Sequence, residues 1–232
     1  MKGPTLAACV AVALATVLTA CGGSLSSAAK PAGSPSQTTS SATPASTSAA
    51  LPAGYHRIGG PEQGVSFGVP SSWVSVNFTR QTLQQAVSKL KQYGISQSAI
   101  AAAQNVLLKL HGVYAIDPES MVTSPGRATN INAYCAESGI TEAGSSGRSF
   151  LRSSVAAEFL HAKASGVRQV NLMVGGIPGV RTSYTLMTSL GATHAAQLEV
   201  LPKADRVCFI TLTGGKAPVS LLTTIAPTVQ FP

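Results

Sequence analysis

Acidic residues are scarce in this chain. Eight Asp and Glu stand against sixteen Lys and Arg, and these four types make up only 10% of the 232 residues. The net charge of +8 is the kind of balance that favours anionic lipids, wall polymers or nucleic acid as neighbours. Nucleic acid is set aside by two further shortages. No run of five basic residues occurs, and aromatics are just 5% and do not interleave with basic residues, so neither an electrostatic footprint nor a base-stacking platform is present. The charge reads as solubility beside an anionic surface. The four histidines, His56, His111, His161 and His194, have no metal-ligand spacing with one another, with Cys or with carboxylates, so no metal and no cofactor is expected. Gly144-Ser-Ser-Gly-Arg-Ser149 lacks the Lys-Ser/Thr of a phosphate loop and reads as a loop and helix cap. Beyond the first twenty residues no apolar stretch approaches the length that spans a bilayer. No internal repeat is visible.

What is present is ordered from the N-terminus. Met1 to Thr5 carries Lys2, and Leu6 to Leu18 is almost wholly apolar, which is the layout of a signal peptide. Leu18-Thr19-Ala20-Cys21 follows, with Gly22-Gly23 behind it. This quartet resembles a bacterial lipobox. Small residues admit the signal peptidase, and a thiol is needed because diacylglycerol is transferred to sulfur before cleavage. Residues 1–20 are therefore expected to be removed, leaving Cys21 as the lipidation site. The chain would be held on the outer face of the cell membrane by diacylglyceryl and fatty-acyl chains such as palmitate.

Residues 21–53 are expected to form the lipidated Cys and a disordered tether. Ser24 to Leu51 is mostly Ser, Thr, Ala and Pro, with Lys30 its one charge and only Leu25 and Leu51 as large apolar residues. Such a segment buries too little surface to offset its ordering entropy.

Residues 54–232 read as one α+β domain, a mainly antiparallel sheet covered by helices. Tyr55–Gly59 and Val65–Val69 predict two early strands, the second with one buried face formed by Val65, Phe67 and Val69. Pro70 to Trp73 redirects the chain. Apolar stripes predict a helical hairpin over Thr79–Tyr93 and Ser98–His111, stopped by Gly94 and Gly112. Strands are predicted at Val113–Ile116 and Asn130–Ala136, and a third long helix at Ser149–Ala164. Four more strands follow, Val167–Val174, Val180–Leu190, His194–Leu201 and Arg206–Thr213, and Pro218–Ala226 closes the chain as a helix. The short turn-rich links between the last four strands suit antiparallel neighbours.

The segment Phe67-Gly-Val-Pro-Ser-Ser-Trp73, the mid-chain Tyr114-Ala-Ile-Asp-Pro with Ala128-Thr-Asn-Ile-Asn, and the final meander and short helix resemble actinobacterial LpqN-type lipoproteins. The likeness covers about residues 54–232. It implies a PsbP-like α/β/α sandwich and a binding or accessory role in the cell envelope, toward an envelope lipid, polymer or protein, with no catalytic residues to carry over.

Two other functions are carried beside that one: a scaffolding subunit of an envelope complex, and a serine hydrolase. Gly64-Val-Ser66-Phe-Gly68 matches the G-x-S-x-G pattern, and Asp117 and His161 or His194 follow in the order of a triad. A nucleophile elbow needs a sharp strand-to-helix turn, whereas Ser66 lies inside an alternating strand. No enzyme is expected. Once Cys9 leaves with the signal and Cys21 takes lipid, Cys135 and Cys208 remain. Cys135 shares a strand face with Ile131 and Ala133, and Cys208 with Ile210 and Leu212. Two thiols on apolar faces of an exported domain predict a disulfide, with Asn130–Ala136 beside Arg206–Thr213 or facing it across the core; two separate buried thiols are the alternative.

Overall fold

A computed structural model describes residues 50–77, 110–124, 127–138, 147–149, 151–153, 164–188, 191–215 and 219–232, together with Gln85 and Ser88. The signal segment, Cys21 and the tether lie outside these residues. So do nearly all of the hairpin Thr79–His111 and most of the helix Ser149–Ala164. Gln85 and Ser88 are helical, as are residues 147–149 and 151–153.

The first two strands, β1 (Tyr55–Gly60) and β2 (Val65–Pro70), pair with each other as a separate antiparallel ribbon. Seven others form one sheet: β3 (Val74–Asn77), β4 (Val113–Ile116), β5 (Asn130–Glu137), β6 (Ser165–Val174), β7 (Ile177–Thr188), β8 (Gly191–Lys203) and β9 (Arg206–Gly214). Their order across the sheet is β3-β4-β5-β9-β8-β7-β6, and every pairing is antiparallel. The described residues are thus dominated by sheet. Two short helices accompany it, α1 (Pro118–Thr123) and α2 (Val219–Ile225), with a 3-10 turn at Ala226–Thr228.

The predicted strands are present, and the links of the meander are tighter than expected. Gly175-Gly176 alone join β6 to β7. Both have positive φ, 56° and 82°, the backbone of a two-residue hairpin whose twist matches that of its strands. Strand β8 runs on to Lys203 before Ala204-Asp205 turn it into β9. Two elements escaped the sequence reading. Val74–Asn77 is an edge strand of only four residues. Pro118–Thr123 is a helix started by Asp117, whose Oδ1 accepts from the Glu119 N–H at 3.1 Å, with Pro at the first helical position. At the predicted stop of the second hairpin helix, His111 rather than Gly112 takes the left-handed backbone, with φ of 51°.

Strand alternation gives the large sheet two faces. On one face Ala115, Ile131, Ala133, Leu198, Val200, Ile210 and Leu212 meet Val65, Phe67 and Val69 of β2 and Leu222 and Ile225 of α2 in a single apolar core. Among the described residues this face is covered by the β1–β2 ribbon and the C-terminal helix. The expected single buried face of β2 is a correction: Val65 through Val69 are all buried. The C-terminal chain lies along its other side, where Ser66 N–H donates to the Gln230 carbonyl at 2.9 Å and Gln230 N–H returns to Ser66 at 2.8 Å. Gly68 lies under Thr228, whose Oγ1 accepts from its N–H at 2.8 Å.

Candidate functional site

The second face of the large sheet carries a row of polar side chains, and that row is buried. Asn132, Thr211, Gln197 and Thr182 stand in one row across β5, β9, β8 and β7, and each is less than a tenth exposed. In the next row Tyr134, Phe209 and Glu199 are in register, with Tyr134 and Phe209 stacked at 5.3 Å between centroids.

Glu199 is fully buried. A carboxylate removed from water costs heavily unless hydrogen bonds replace its hydration. Here its Oε1 accepts from Thr182 Oγ1 and from Gln197 Nε2, both at 3.1 Å. Gln197 is oriented in turn, because its Oε1 accepts from Thr211 Oγ1 at 3.0 Å. Four side chains from three strands therefore act as one network, which fixes the register of β7, β8 and β9 on this face.

The polar layer continues toward Gly214, where Thr193 and Thr213 lie near each other on β8 and β9. Both are over nine-tenths buried, and neither hydroxyl has a hydrogen-bond partner among the described residues. Two interior hydroxyls thus remain able to take hydrogen bonds. The Glu199 end is apolar around its rim, where Leu151 packs with Val180, Leu201, Val207 and Phe209.

Cys135 and Cys208 are directly opposed on β5 and β9 and are joined by a disulfide, with Cα atoms 4.0 Å apart. The strands Asn130–Ala136 and Arg206–Thr213 are paired side by side, one of the two placements the bond allowed. The bond lies at the edge of the apolar core, and Cys135 Sγ is 3.5 Å from the Gly64 carbonyl oxygen in the β1–β2 turn. An open depression of about 670 Å³ adjoins it, lined by residues 135–137 and 203–206. Its rim carries Glu137 and Asp205 against Lys203 and Arg206, so it selects no sign of charge.

The residues of the G-x-S-x-G reading have separate occupations. Ser66 lies mid-strand and its Oγ accepts from Arg57 Nη1 at 3.3 Å; the same nitrogen donates to the Thr228 carbonyl at 2.9 Å. Partial burial of that guanidinium lowers its pKa from the ordinary arginine value. Asp117 caps α1. His194 Nδ1 is 3.1 Å from Thr185 Oγ1. His161 lies outside the described residues, as does Cys21. Among the described residues no three His, Cys, Asp or Glu side chains gather as a metal site, and no helix is long and apolar enough to cross a membrane.

The sequence reading did not single out Glu199. The signal was available in Ala195-Ala-Gln-Leu-Glu-Val-Leu201, where Gln and Glu alternate with apolar residues. Such alternation ordinarily marks a solvent-facing side, and only burial of both sheet faces makes it interior.

No family model and no curated protein matches the sequence. Solved structures resemble it in outline. One is a crystal structure from Bacteroides thetaiotaomicron, with a TM-score of 0.43 and 8% identity over 76% of this chain and 48% of that one. The chain thus spans about half the length of the Bacteroides protein. Another is the solution structure of cyanobacterial PsbP (CyanoP) from Synechocystis, with a TM-score of 0.42 and 12% identity over 78% of this chain and 94% of that one. A third is the Ran-binding protein Mog1p of Saccharomyces cerevisiae, with a TM-score of 0.42 and 8% identity over 76% of this chain and 95% of that one.

Proposed function

We propose that this chain is an extracytoplasmic lipoprotein, cut after Ala20, lipidated at Cys21 and held on the outer face of the cell membrane. Its domain, residues 54–232, has a binding or accessory role in the cell envelope rather than a catalytic one. Its ligand is an envelope lipid, polymer or protein. The observation that carries this reading is the bond between Cys135 and Cys208. Structural disulfides persist in oxidising compartments and are rare in the cytosol, so the bond agrees with export through the signal segment and lipobox.

Binding is favoured over hydrolysis because Ser66, Asp117 and His194 are each engaged in a local structural contact. The buried hydroxyls of Thr193 and Thr213 leave hydrogen-bonding capacity beside the network that fixes the register of β7, β8 and β9. The finer family reading, an LpqN-type lipoprotein with a PsbP-like sandwich, rests on the sequence segments Phe67–Trp73, Tyr114–Pro118 and Ala128–Asn132.

The test is to replace Cys21 with Ala and follow fatty-acid labelling and membrane fractionation in the native host. The parent chain is expected in the membrane fraction, labelled and cut; the variant is expected to be unlabelled and uncut after Ala20, because transfer to sulfur precedes cleavage. A variant cut after Ala20 that still stays membrane-bound refutes the anchor. Mass spectrometry of molecules that co-purify with the detergent-extracted parent chain then identifies what the domain holds.

A further inference from the structure

Strand β6 ends the large sheet on one side, and its one strand neighbour among the described residues is β7. Three of its apolar side chains are exposed: Val167 at 40%, Val170 at 45% and Met173 at 55%. They do not gather on one side. Val170 and Met173 are three residues apart on a strand, so they point to opposite faces. A flat membrane or a broad protein surface would be met by apolar residues on a single face. Exposure on both faces, along an edge that pairs with no further strand among the described residues, is what a missing neighbouring strand leaves behind.

Among the described residues the charge around this edge has one sign. Arg168 lies on β6 and is exposed. Arg181 on β7 is the cross-strand partner of Val170. Arg152 reaches the strand from the helical segment, its Nη1 donating to Asn171 Oδ1 at 3.1 Å. Three guanidiniums therefore surround the middle of β6, and no acidic residue occurs anywhere from Ser165 to Leu198. Cross-strand pairs of opposite charge stabilise a sheet and like charges destabilise it.

We propose that β6 is a strand-addition site for an extended, acid-bearing segment of a partner protein. This rests on the binding reading above and names the partner's chemistry. The register shift between Ser165 and Arg168 interrupts the ladder, so the addition runs along Arg168–Val174. Main-chain hydrogen bonds supply the attachment. Acidic side chains on alternate positions meet Arg168 and Arg181, which share one face, and their apolar neighbours cover Met173 on the other. A second copy of β6 is a poor occupant, because it brings the same arginines and no acid. The chain's own residues 24–51 are also poor, since Pro31, Pro35 and Pro44 lack donors and the segment's one charge is Lys30.

The test uses the mature chain in detergent and the full-length Cys21→Ala variant. The probe is a labelled, end-capped eight-residue peptide alternating Glu and Val, with a Lys/Val counterpart. The acidic peptide is expected to saturate below millimolar concentration and to bind at least tenfold tighter than the basic one. Binding should weaken as salt rises, and added peptide should slow amide exchange within Arg168–Val174. Arg168→Glu should cut or reverse the preference, while Met187→Ala, exposed elsewhere on β7, should leave it unchanged. Equal binding of the two peptides, no saturation, or exchange protection confined to other strands overturns the proposal, as does sedimentation showing that β6 is already occupied by a second copy. The anchor is read independently by fractionation, so a failure of either claim is recognised as its own.

Discussion

Cys135 and Cys208 are the single covalent cross-link among the described residues, and they join two strands that are already in register, residue opposite residue. The bond closes a loop with a sequence separation of 73. In the chain-entropy account a loop of this size stabilises the fold by about 4 kcal/mol. Protein from its native compartment should show no free thiol on denaturation without reductant. The paired Cys135→Ala and Cys208→Ala substitutions should lower the melting temperature by roughly 8–16 °C, at about 2–4 °C for each kcal/mol. Thermal unfolding followed by circular dichroism decides it.

The two glycines of the β6–β7 turn should respond differently to the same change. Both have positive φ, so alanine is strained at either. A Cβ on Gly176 meets open space, whereas one on Gly175 runs into the Val229 carbonyl group of the C-terminal chain. Gly176→Ala should cost about 1 kcal/mol and Gly175→Ala distinctly more. Gly176→Asn should be tolerated. Denaturant midpoints compared at constant slope measure the difference.

Glu199 should be sensitive to truncation because it is fully buried. Glu199→Ala removes the acceptor shared by Thr182 Oγ1 and Gln197 Nε2 and leaves two buried donors without it. The expected loss is about 2–4 kcal/mol. Thr211→Val, which removes one outer contact to Gln197, should cost about 1 kcal/mol. A double-mutant cycle between positions 199 and 211 should show coupling, because they belong to one network.

Asp117 should behave as a helix cap. Asp117→Ala should destabilise by about 1 kcal/mol, while Asp117→Asn, which keeps the accepting oxygen, should cost only a few tenths. Equal losses from both substitutions in urea unfolding would mean that the carboxylate charge, not the cap, is what matters there.

The strands were legible where apolar residues alternate over five or more positions. Val65–Val69 and Arg206–Thr213 carry enough repeats to fix both existence and type. Val74–Asn77 offers only two apolar residues after a Pro-Ser-Ser turn, too few to distinguish a strand from a bend. Asp117-Pro118 did carry a start signal for α1, a cap followed by proline, but six residues give no full apolar stripe to follow it. The disulfide was legible from number, compartment and face. The Glu199 network was not, because a polar alternate on a strand looks the same whether water or another layer of protein lies above it. Nor does sequence reveal which strand ends a sheet: β6 and β8 both read simply as strands, and only the observed order leaves β6 at the side.

The cross-link also governs how much length the domain can release under tension. A pull from the N-terminal side enters at Tyr55, the first residue of β1, which pairs with Pro70 at the far end of β2. That geometry peels the ribbon apart one pair at a time, a low-force route. The residues enclosed between Cys135 and Cys208 cannot extend at all while the bond holds, which withholds about 250 Å of contour length from a fully stretched chain. A stretched molecule should therefore lengthen in two portions set by its chemistry, the second becoming available only after reduction.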